Sequence, residues 1–504
     1  MTVPSAYNVV VPLDPAGLGY YALFNTLAGS IDVIDDSVIE ALRQLGETTE
    51  SGIPRKNAPA RTKLPMLPIS PAATDYLDGR GYLWENLDQE RVQGRQLYGE
   101  LIAFHRDVAQ IPLAIIPSYN CDLSCPYCWQ RLYGLDSPVI SDKRIAQAFD
   151  AITELVHPKP GQVVELAVFG GEPLQDSPLL RRAVIQILDR ARSAGFVAKV
   201  ITNGVGLKQA VPDLIGRVAG LQVTIDGPSG VHRRRRPLPG GDSFSPMVEG
   251  VSAALKAGIM VDIRTNVDSA NVSHLPELAE FVRDQDWLDS GLITLHLAPV
   301  KNHNPRHKTN PESDILAELL ELVDSDERMS MFDLSGFAGL KYFQGFMETG
   351  LLPLHRFFNC EAQINFWAFD LFGDLYACWD AAGIRDLAVG RFDPIVEVNE
   401  LRLNQWRARM SLDIAGCAGC PIQPSCGGGC AFMALEHGGS LFSPTCDSVL
   451  AGYVASIRRH ADWLVSRATE GDHAVGFVVA GEVAHAVDDA LPVLERRDLA
   501  LNCG

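Results

Sequence analysis

From residue 111 onward, short apolar runs alternate with amphipathic stretches, and this alternation predicts the main body of the fold. The runs Leu113–Ile116, Val163–Phe169, Ala198–Thr202, Gln222–Ile225, Met260–Thr265 and Ile293–Leu297 are mostly apolar, as strands covered on both faces must be. Between them, stretches such as Leu179–Ala194 and Met247–Ala257 carry the spacing of helices with one buried face. Six such βα units predict an α/β fold: a parallel sheet covered by helices, curling as an open, partial (β/α)6 TIM-like barrel over residues 106–310. Functional groups in such sheets gather at the C-terminal ends of the strands. No repeat other than this rhythm is present.

The flanks read differently. In residues 1–105 the runs Asn8–Leu13, Tyr20–Asn25 and Ser30–Ile34 are strand-like, and Asp36 is expected to cap an amphipathic helix, Ser37–Leu45. Gly46–Thr74, rich in Pro, Ser, Thr and Arg, reads as a loop or spacer. A short helix, the run Gly81–Glu85 and a polar helix over Gln89–Phe104 follow, and the whole predicts a compact winged-helix-like module. Residues 311–354 read as a helical connector. After Leu354 the pattern breaks into short strands and Gly-rich turns. Residues 355–450 have too little apolar periodicity for a core of their own, so bound metal is expected to supply folding energy. A helix, Tyr453–Arg467, opens the tail 451–504, whose remainder carries no pattern.

Composition narrows the function classes. Lys+Arg number 43 and Asp+Glu 62, a net charge of −19, which argues against nucleic acid or an anionic membrane surface as a partner. No run approaches the roughly 20 apolar residues of a membrane helix. The start, MTVPSAYNVVVPLDPAG, lacks a basic segment followed by an apolar one, so the chain is expected to be cytoplasmic.

Eleven cysteines lie at 121, 125, 128, 360, 378, 417, 420, 426, 430, 446 and 503. In a reducing compartment clustered thiols bind metal or do redox chemistry more often than they pair. Cys121-x3-Cys125-x2-Cys128 directly follows the first barrel strand. Three thiolates on one tight loop can hold three irons of a [4Fe–4S] cube and leave the fourth open. Zinc is the rival, although it usually takes four protein ligands, or three with His.

The stretch SYNCDLSCPYCWQ resembles the cluster loop of the radical S-adenosylmethionine (SAM) enzymes, including the aromatic Tyr127 before the third Cys. Phe169-Gly170-Gly171-Glu172-Pro173 resembles that family's GGEP motif. The resemblance implies that the backbone at Gly170 and Gly171, together with Glu172, receives the amino group of SAM. Two glycines allow close backbone approach, and a carboxylate pairs with an ammonium. Ile201-Thr202-Asn203-Gly204 and Thr224-Ile225-Asp226-Gly227-Pro228 resemble the next two strand ends. By that resemblance the hydroxyls of Thr202 and Thr224 face the SAM ribose or carboxylate, with Asn203 in the same set; many relatives have Ser at the position of Thr224. Asp226 either joins this set or caps the following turn. Arg264 and Asn266 are implied partners of the SAM carboxylate, the alternative being a strand-end salt bridge. Leu297 to Pro299 lie where relatives pack the adenine.

The later cysteines resemble the seven-cysteine SPASM domain of radical SAM peptide maturases, with Gly373 at its motif position between Cys360 and Cys378. That likeness implies two auxiliary [4Fe–4S] clusters, one on Cys360, Cys378 and Cys430, the other on Cys417, Cys420, Cys426 and Cys446. Two cubes call for an eighth ligand, for which Cys503, His355 or an open iron site are the alternatives. A structural zinc site over 417–430 is the rival reading.

Residues Phe24 to Ile34 and the helix after them resemble the small, PqqD-like winged-helix element of enzymes that modify ribosomal peptides. This implies that a precursor's leader peptide adds as a strand beside the sheet; the alternative is a stabilising extension. His232-Arg233-Arg234-Arg235-Arg236 stands out in an acidic chain, either as a solvated face or as a grip on an acidic substrate segment at the active-site rim. Taken together, the resemblances imply a SPASM-type radical SAM oxidoreductase with SAM and three [4Fe–4S] clusters, served by a donor such as flavodoxin or ferredoxin. Its 5′-deoxyadenosyl radical would take hydrogen from a precursor peptide, and a C–C, C–O or C–S crosslink would follow. A sulfatase-type maturase forming formylglycine is the second reading, and a non-catalytic iron–sulfur or zinc peptide binder the third. No residue stands out as a catalytic base.

Overall fold

The computed structural model describes residues 2–13, 19–45, 69–108, 110–130, 137–301, 310–349, 357–446, 449–471 and 475–487. Its centre is a ten-stranded sheet. Six parallel strands stand side by side in chain order: Ile111–Ile116, Val164–Val168, Val197–Thr202, Gly220–Thr224, Met260–Val267 and Ile293–Pro299. These are the six runs expected from the pattern, shifted at their ends by one or two residues. Helices Pro178–Ser193 and Phe244–Lys256 occupy the expected places. The second begins earlier than its apolar spacing suggests, because Asp242 accepts from the Phe244 N–H at 2.9 Å and from the Ser245 hydroxyl at 2.6 Å.

The region after residue 357 does not stand apart. Trp367–Asp370 pairs in parallel with Ile111–Ile116, and Asp374–Tyr376, Gly390–Arg391 and Glu397–Val398 continue the same sheet antiparallel. Phe366, Trp367, Phe369 and Tyr376 are buried in the main core with the barrel side chains. The expectation that this segment lacks apolar support is therefore corrected: its short strands borrow a core from a partner some 250 residues earlier, which local periodicity cannot reveal. Arg144 reinforces the join, reaching Asp393 at 2.6 Å and the Leu371 carbonyl at 2.6 Å.

The first unit also recruits distant sequence. Its five-stranded sheet runs in the order Glu482–His485, Gly476–Val479, Ser30–Asp35, Tyr20–Asn25, Asn8–Pro12. The tail that showed no pattern thus contributes a hairpin, whose inner strand lies parallel to Ser30–Asp35. Asp32 is fully buried beneath this join. It pairs with Arg80 at 2.9 Å, accepts from the Tyr76 and Tyr82 hydroxyls, and accepts from the Gly476 N–H at 2.9 Å. A Cβ at residue 476 would fall 1.9 Å from the Tyr76 hydroxyl, so only glycine fits.

Three local expectations change. Helix Asp36–Leu45 is capped by Asp35, whose Oδ1 accepts from the Ser37 N–H, while Asp36 accepts from the Tyr21 hydroxyl. Helix Pro71–Gly79 starts inside the expected loop, on a Ser70 cap with proline in the first turn; residues 46–68 lie outside the described residues. The single helix expected over Tyr453–Arg467 is two, Val449–Arg459 and Ala461–Glu470. The polar stretch Gln89–Phe104 lies within helix Leu87–Val108. No helix among the described residues is long and apolar enough to cross a membrane.

Candidate functional site

The site is built where the first two barrel strands end. Leaving Ile111–Ile116, the chain passes Ser118 and Asn120 into the cysteine loop. Beside it, the Gly171 N–H donates to the Ser118 carbonyl at 3.0 Å and the Glu172 N–H to the Asn120 carbonyl at 2.8 Å. A Cβ on Gly170 would sit 2.5 Å from the Ser118 oxygen, and one on Gly171 2.0 Å from the Asn120 oxygen. Gly170 also takes φ +148, a conformation that favours glycine. The glycine pair thus lets the motif lie directly against the loop carrying Cys121, Cys125 and Cys128. Cys125 is buried and the other two are half-buried.

Glu172 is 1% exposed and joins three segments. Its oxygens accept from the Leu174 N–H at 2.8 Å, the Thr202 hydroxyl at 2.6 Å and the Asn203 N–H at 2.5 Å. Burial, with Asp122 beside it, pushes its carboxyl up to about 7. A cation set next to Glu172 would restore its ionised form, which is what an ammonium group offers. Burial and Glu172 likewise push the Cys121 thiol up, so the thiol keeps its proton unless metal replaces it. Asn203 donates to Asp122 at 2.6 Å and reaches 4.0 Å from the Cys121 sulfur.

Not every expected contact faces the open site. The Thr202 hydroxyl is committed to Glu172 and accepts from the Gly204 N–H at 3.0 Å, so it supports the carboxylate rather than facing a ligand. Leu297 is fully buried in the main core, in register with Thr265, so its side chain packs inward rather than facing the site. The Thr224 hydroxyl has no hydrogen bond to the described residues and remains available. Arg264 is half-buried and donates to Asn266 at 2.9 Å, and among the described residues it has no carboxylate partner of the kind a strand-end salt bridge would need.

The arginine run divides. Arg233 is exposed and pairs with Asp242 at 2.7 Å. Arg235 and Arg236 are buried, which corrects the expectation of a solvated or substrate-gripping surface for the whole run. The Arg235 Nη1 pairs with Asp268, and its Nε lies 3.6 Å from Asp226. Arg236 donates to the Tyr127 hydroxyl at 2.7 Å, and Tyr127 in turn donates to Asp226. Asp226 is fully buried and also accepts from the Asn266 N–H at 3.2 Å, so it ties two strand ends to the cysteine loop rather than capping a turn. Helix Ser229–Arg235 places His232, Arg235 and Arg236 on one face, three and four residues apart, and that spacing was the available signal. Ser124 anchors the loop again, its N–H donating to the Pro237 carbonyl at 2.8 Å.

The later cysteines form two neighbourhoods. Burial, with Asp380, Cys360 and Cys430 around it, pushes the Cys378 thiol up, and burial with Glu361 and Cys430 pushes Cys360 up to about 12. Burial with Cys420 and Cys446 pushes Cys417 up to about 11. Gly373, at φ +86, is held to glycine by the Asp393 Cβ, 2.7 Å from where its own Cβ would lie. Sequence reasoning passed over Arg409, which lies fully buried between these neighbourhoods. His355 and Cys503 lie outside the described residues. Among the described residues no three His, Cys, Asp or Glu side chains converge on a point that could hold one ion. Zinc usually takes four protein ligands around one ion, whereas a [4Fe–4S] cube takes one thiolate per iron and can leave one iron open. The donor set of three thiols on one loop fits the cube.

Residues 115–282 match the radical SAM superfamily. Pre-heme d1 synthase of Dinoroseobacter shibae is 23% identical over 350 residues, covering 65% of this chain and 83% of that protein. Native anSMEcpe with bound AdoMet superposes with a TM-score of 0.54 at 17% identity, over 70% of this chain and 98% of that one. The same protein with bound AdoMet and Cp18Cys peptide gives 0.53 at 16%, over 70% and 98%. The match to the radical SAM superfamily thus spans residues 115–282, a third of the chain, within an α/β fold shared with these structures.

Proposed function

We propose that this chain is a radical SAM oxidoreductase of SPASM type that modifies a ribosomally made precursor peptide. Cys121, Cys125 and Cys128 would hold the SAM cluster. Cys360, Cys378 and Cys430 would hold one auxiliary cluster, and Cys417, Cys420, Cys426 and Cys446 the other. With SAM bound at its open iron, such a cluster supplies reductive cleavage to a 5′-deoxyadenosyl radical, which removes hydrogen from unactivated carbon. The observation that carries this reading is the direct backbone bonding of the Gly170–Glu172 motif to the cysteine loop, with a buried carboxylate awaiting a cation.

The chain's own residues then have definite tasks. Glu172 receives the amino group, held in place by Thr202 and the Asn203 N–H. Arg264 presents its free guanidinium edge to the SAM carboxylate, oriented by Asn266, and Thr224 offers its hydroxyl nearby. Tyr127, Asp226 and Arg236 keep the loop shut against water. Auxiliary clusters on the later cysteines favour net oxidation of the substrate, hence a C–C, C–O or C–S crosslink. Electrons would come from a flavodoxin or ferredoxin, and the setting would be the cytoplasm.

A leader peptide adding as a strand would meet a sheet whose Ser30–Asp35 edge is already taken by Gly476–Val479. Among the described residues the outer strands of that sheet are Asn8–Pro12 and Glu482–His485, the latter largely exposed. The test is to incubate the reduced, anaerobic enzyme with SAM and each short peptide that a neighbouring gene is found to encode, then weigh the peptide. Loss of two hydrogens with a fragmentation-resistant link supports the crosslinking reading. Conversion of a Cys or Ser to formylglycine supports the sulfatase-type alternative. The relative named pre-heme d1 synthase favours one further reading, a non-peptide substrate, which turnover without any peptide would support.

A further inference from the structure

Arg409 is 0% exposed, and none of its partners among the described residues is a carboxylate. All five of its N–H donors are used on carbonyls. Nη1 reaches Gly429 at 2.9 Å and Gly427 at 3.3 Å, Nη2 reaches Gly428 at 2.7 Å and Ser443 at 3.2 Å, and Nε donates to Leu441. Three of these carbonyls belong to the glycine turn between Cys426 and Cys430. That turn takes φ +66, +81 and +71, and a Cβ at any of its positions would lie 2.5 Å or less from a neighbouring atom. The other two carbonyls lie on the approach to Cys446. The backbone carbonyl of Arg409 accepts from the Gln363 side chain, whose oxygen accepts from the Cys360 N–H at 3.3 Å. One side chain therefore braces ligand positions of both cysteine sets.

Hydrogen bonding is complete, but charge is not. A guanidinium shut away from water is costly unless an opposite charge answers it, and carbonyl dipoles answer only part. The carbonyls that hold Arg409 lie between Cys426 and Cys430 and just before Cys446, so the guanidinium sits in the backbone that carries cysteines of both sets, with no carboxylate among its described partners. An anionic cluster held by those cysteines would supply the missing opposite charge.

Resting on the auxiliary-cluster reading above, we infer that Arg409 is the built-in countercharge shared by the two C-terminal iron–sulfur sites, raising the reduction potential of both. A fixed positive charge beside a cluster stabilises its more negative, reduced form, so removing the charge makes reduction harder. Arg409 is a positioning and charge-setting residue, not a catalytic one.

The test uses the full chain, reconstituted anaerobically, as wild type, Arg409→Lys and Arg409→Gln, with iron per chain and midpoint potentials followed by EPR. The SAM cluster is the internal control, recognised by the change in its signal on adding SAM. The expected result is that Arg409→Gln moves the C-terminal midpoints to more negative potential and leaves the SAM cluster unmoved, while Arg409→Lys stays near wild type. Should Arg409→Gln fail to load its C-terminal iron, loading of Arg409→Lys with wild-type midpoints still supports the charge role. Equal behaviour of the Lys and Gln variants, whether both hold their midpoints, both shift or both lose iron, overturns it. A wild-type count near four irons instead of about twelve removes the auxiliary-cluster reading itself, a separate failure.

Discussion

Glu172 concentrates the chemistry of the site in one side chain. Its carboxyl, raised to about 7 by burial and by Asp122, keeps its proton at lower pH and must lose it to receive an ammonium. SAM affinity should therefore rise from pH 6 to pH 8, and Glu172→Gln should abolish that slope while weakening binding about tenfold or more, as loss of a charge-assisted hydrogen bond does. Calorimetric titration at the two pH values checks this; a flat wild-type profile would count against the role. The same scale separates the two kinds of arginine in the run 233–236. Removing Arg236 takes a donor from the Tyr127 hydroxyl and a nearby positive charge from Asp226, which keeps Arg235 and the Asn266 N–H, so Arg236→Met should cost about 1–3 kcal/mol, as a buried polar group left short of a partner does. Arg233→Ala, on the solvent side of the same short helix, should leave stability unchanged. Denaturant titration of the two variants decides, and equal effects would refute the division.

At the scale of elements, what could be foreseen was what is local. The barrel strands announce themselves through apolar runs, and the cysteine loop through spacing that chance rarely gives. The pairing of the hairpin Gly476–Val479 and Glu482–His485 with Ser30–Asp35 could not be foreseen, because it spans almost the whole chain and the apolar run from Ala474 to Ala480 does not by itself say which strand it joins. Arg409 was invisible for a related reason: a lone arginine has no motif, and only the fold brings three glycine carbonyls around it. The hairpin has a measurable consequence. Deleting residues 475–504 uncovers Val33 and Ile34, removes the Gly476 N–H from Asp32 and separates Phe477 from Tyr20, whose rings meet at 5.4 Å. The first sheet should lose several kcal/mol and bind precursor more weakly, while SAM cleavage persists, since every SAM-site residue lies between 118 and 300. Hydrogen exchange over residues 8–35 together with peptide binding tests this. Tighter binding after deletion would instead mean that the hairpin occupies the leader's own place.

For the molecule as a whole, continuity is the main result. The strand Ile111–Ile116 pairs with Val164–Val168 on one side and Trp367–Asp370 on the other. The cysteine loop therefore leaves the same strand that the C-terminal region uses as its template. On the proposed assignment the two cysteine regions share a scaffold but no ligands, so removing one set of thiols should spare the other. The most direct measurement is a comparison of wild type with the combined Cys121→Ala, Cys125→Ala, Cys128→Ala variant, both reconstituted anaerobically, reduced and given SAM. Iron and 5′-deoxyadenosine are counted for each. The account predicts that the variant loses about four irons and all 5′-deoxyadenosine formation while its C-terminal iron stays in place. Undiminished SAM cleavage by the variant would contradict it.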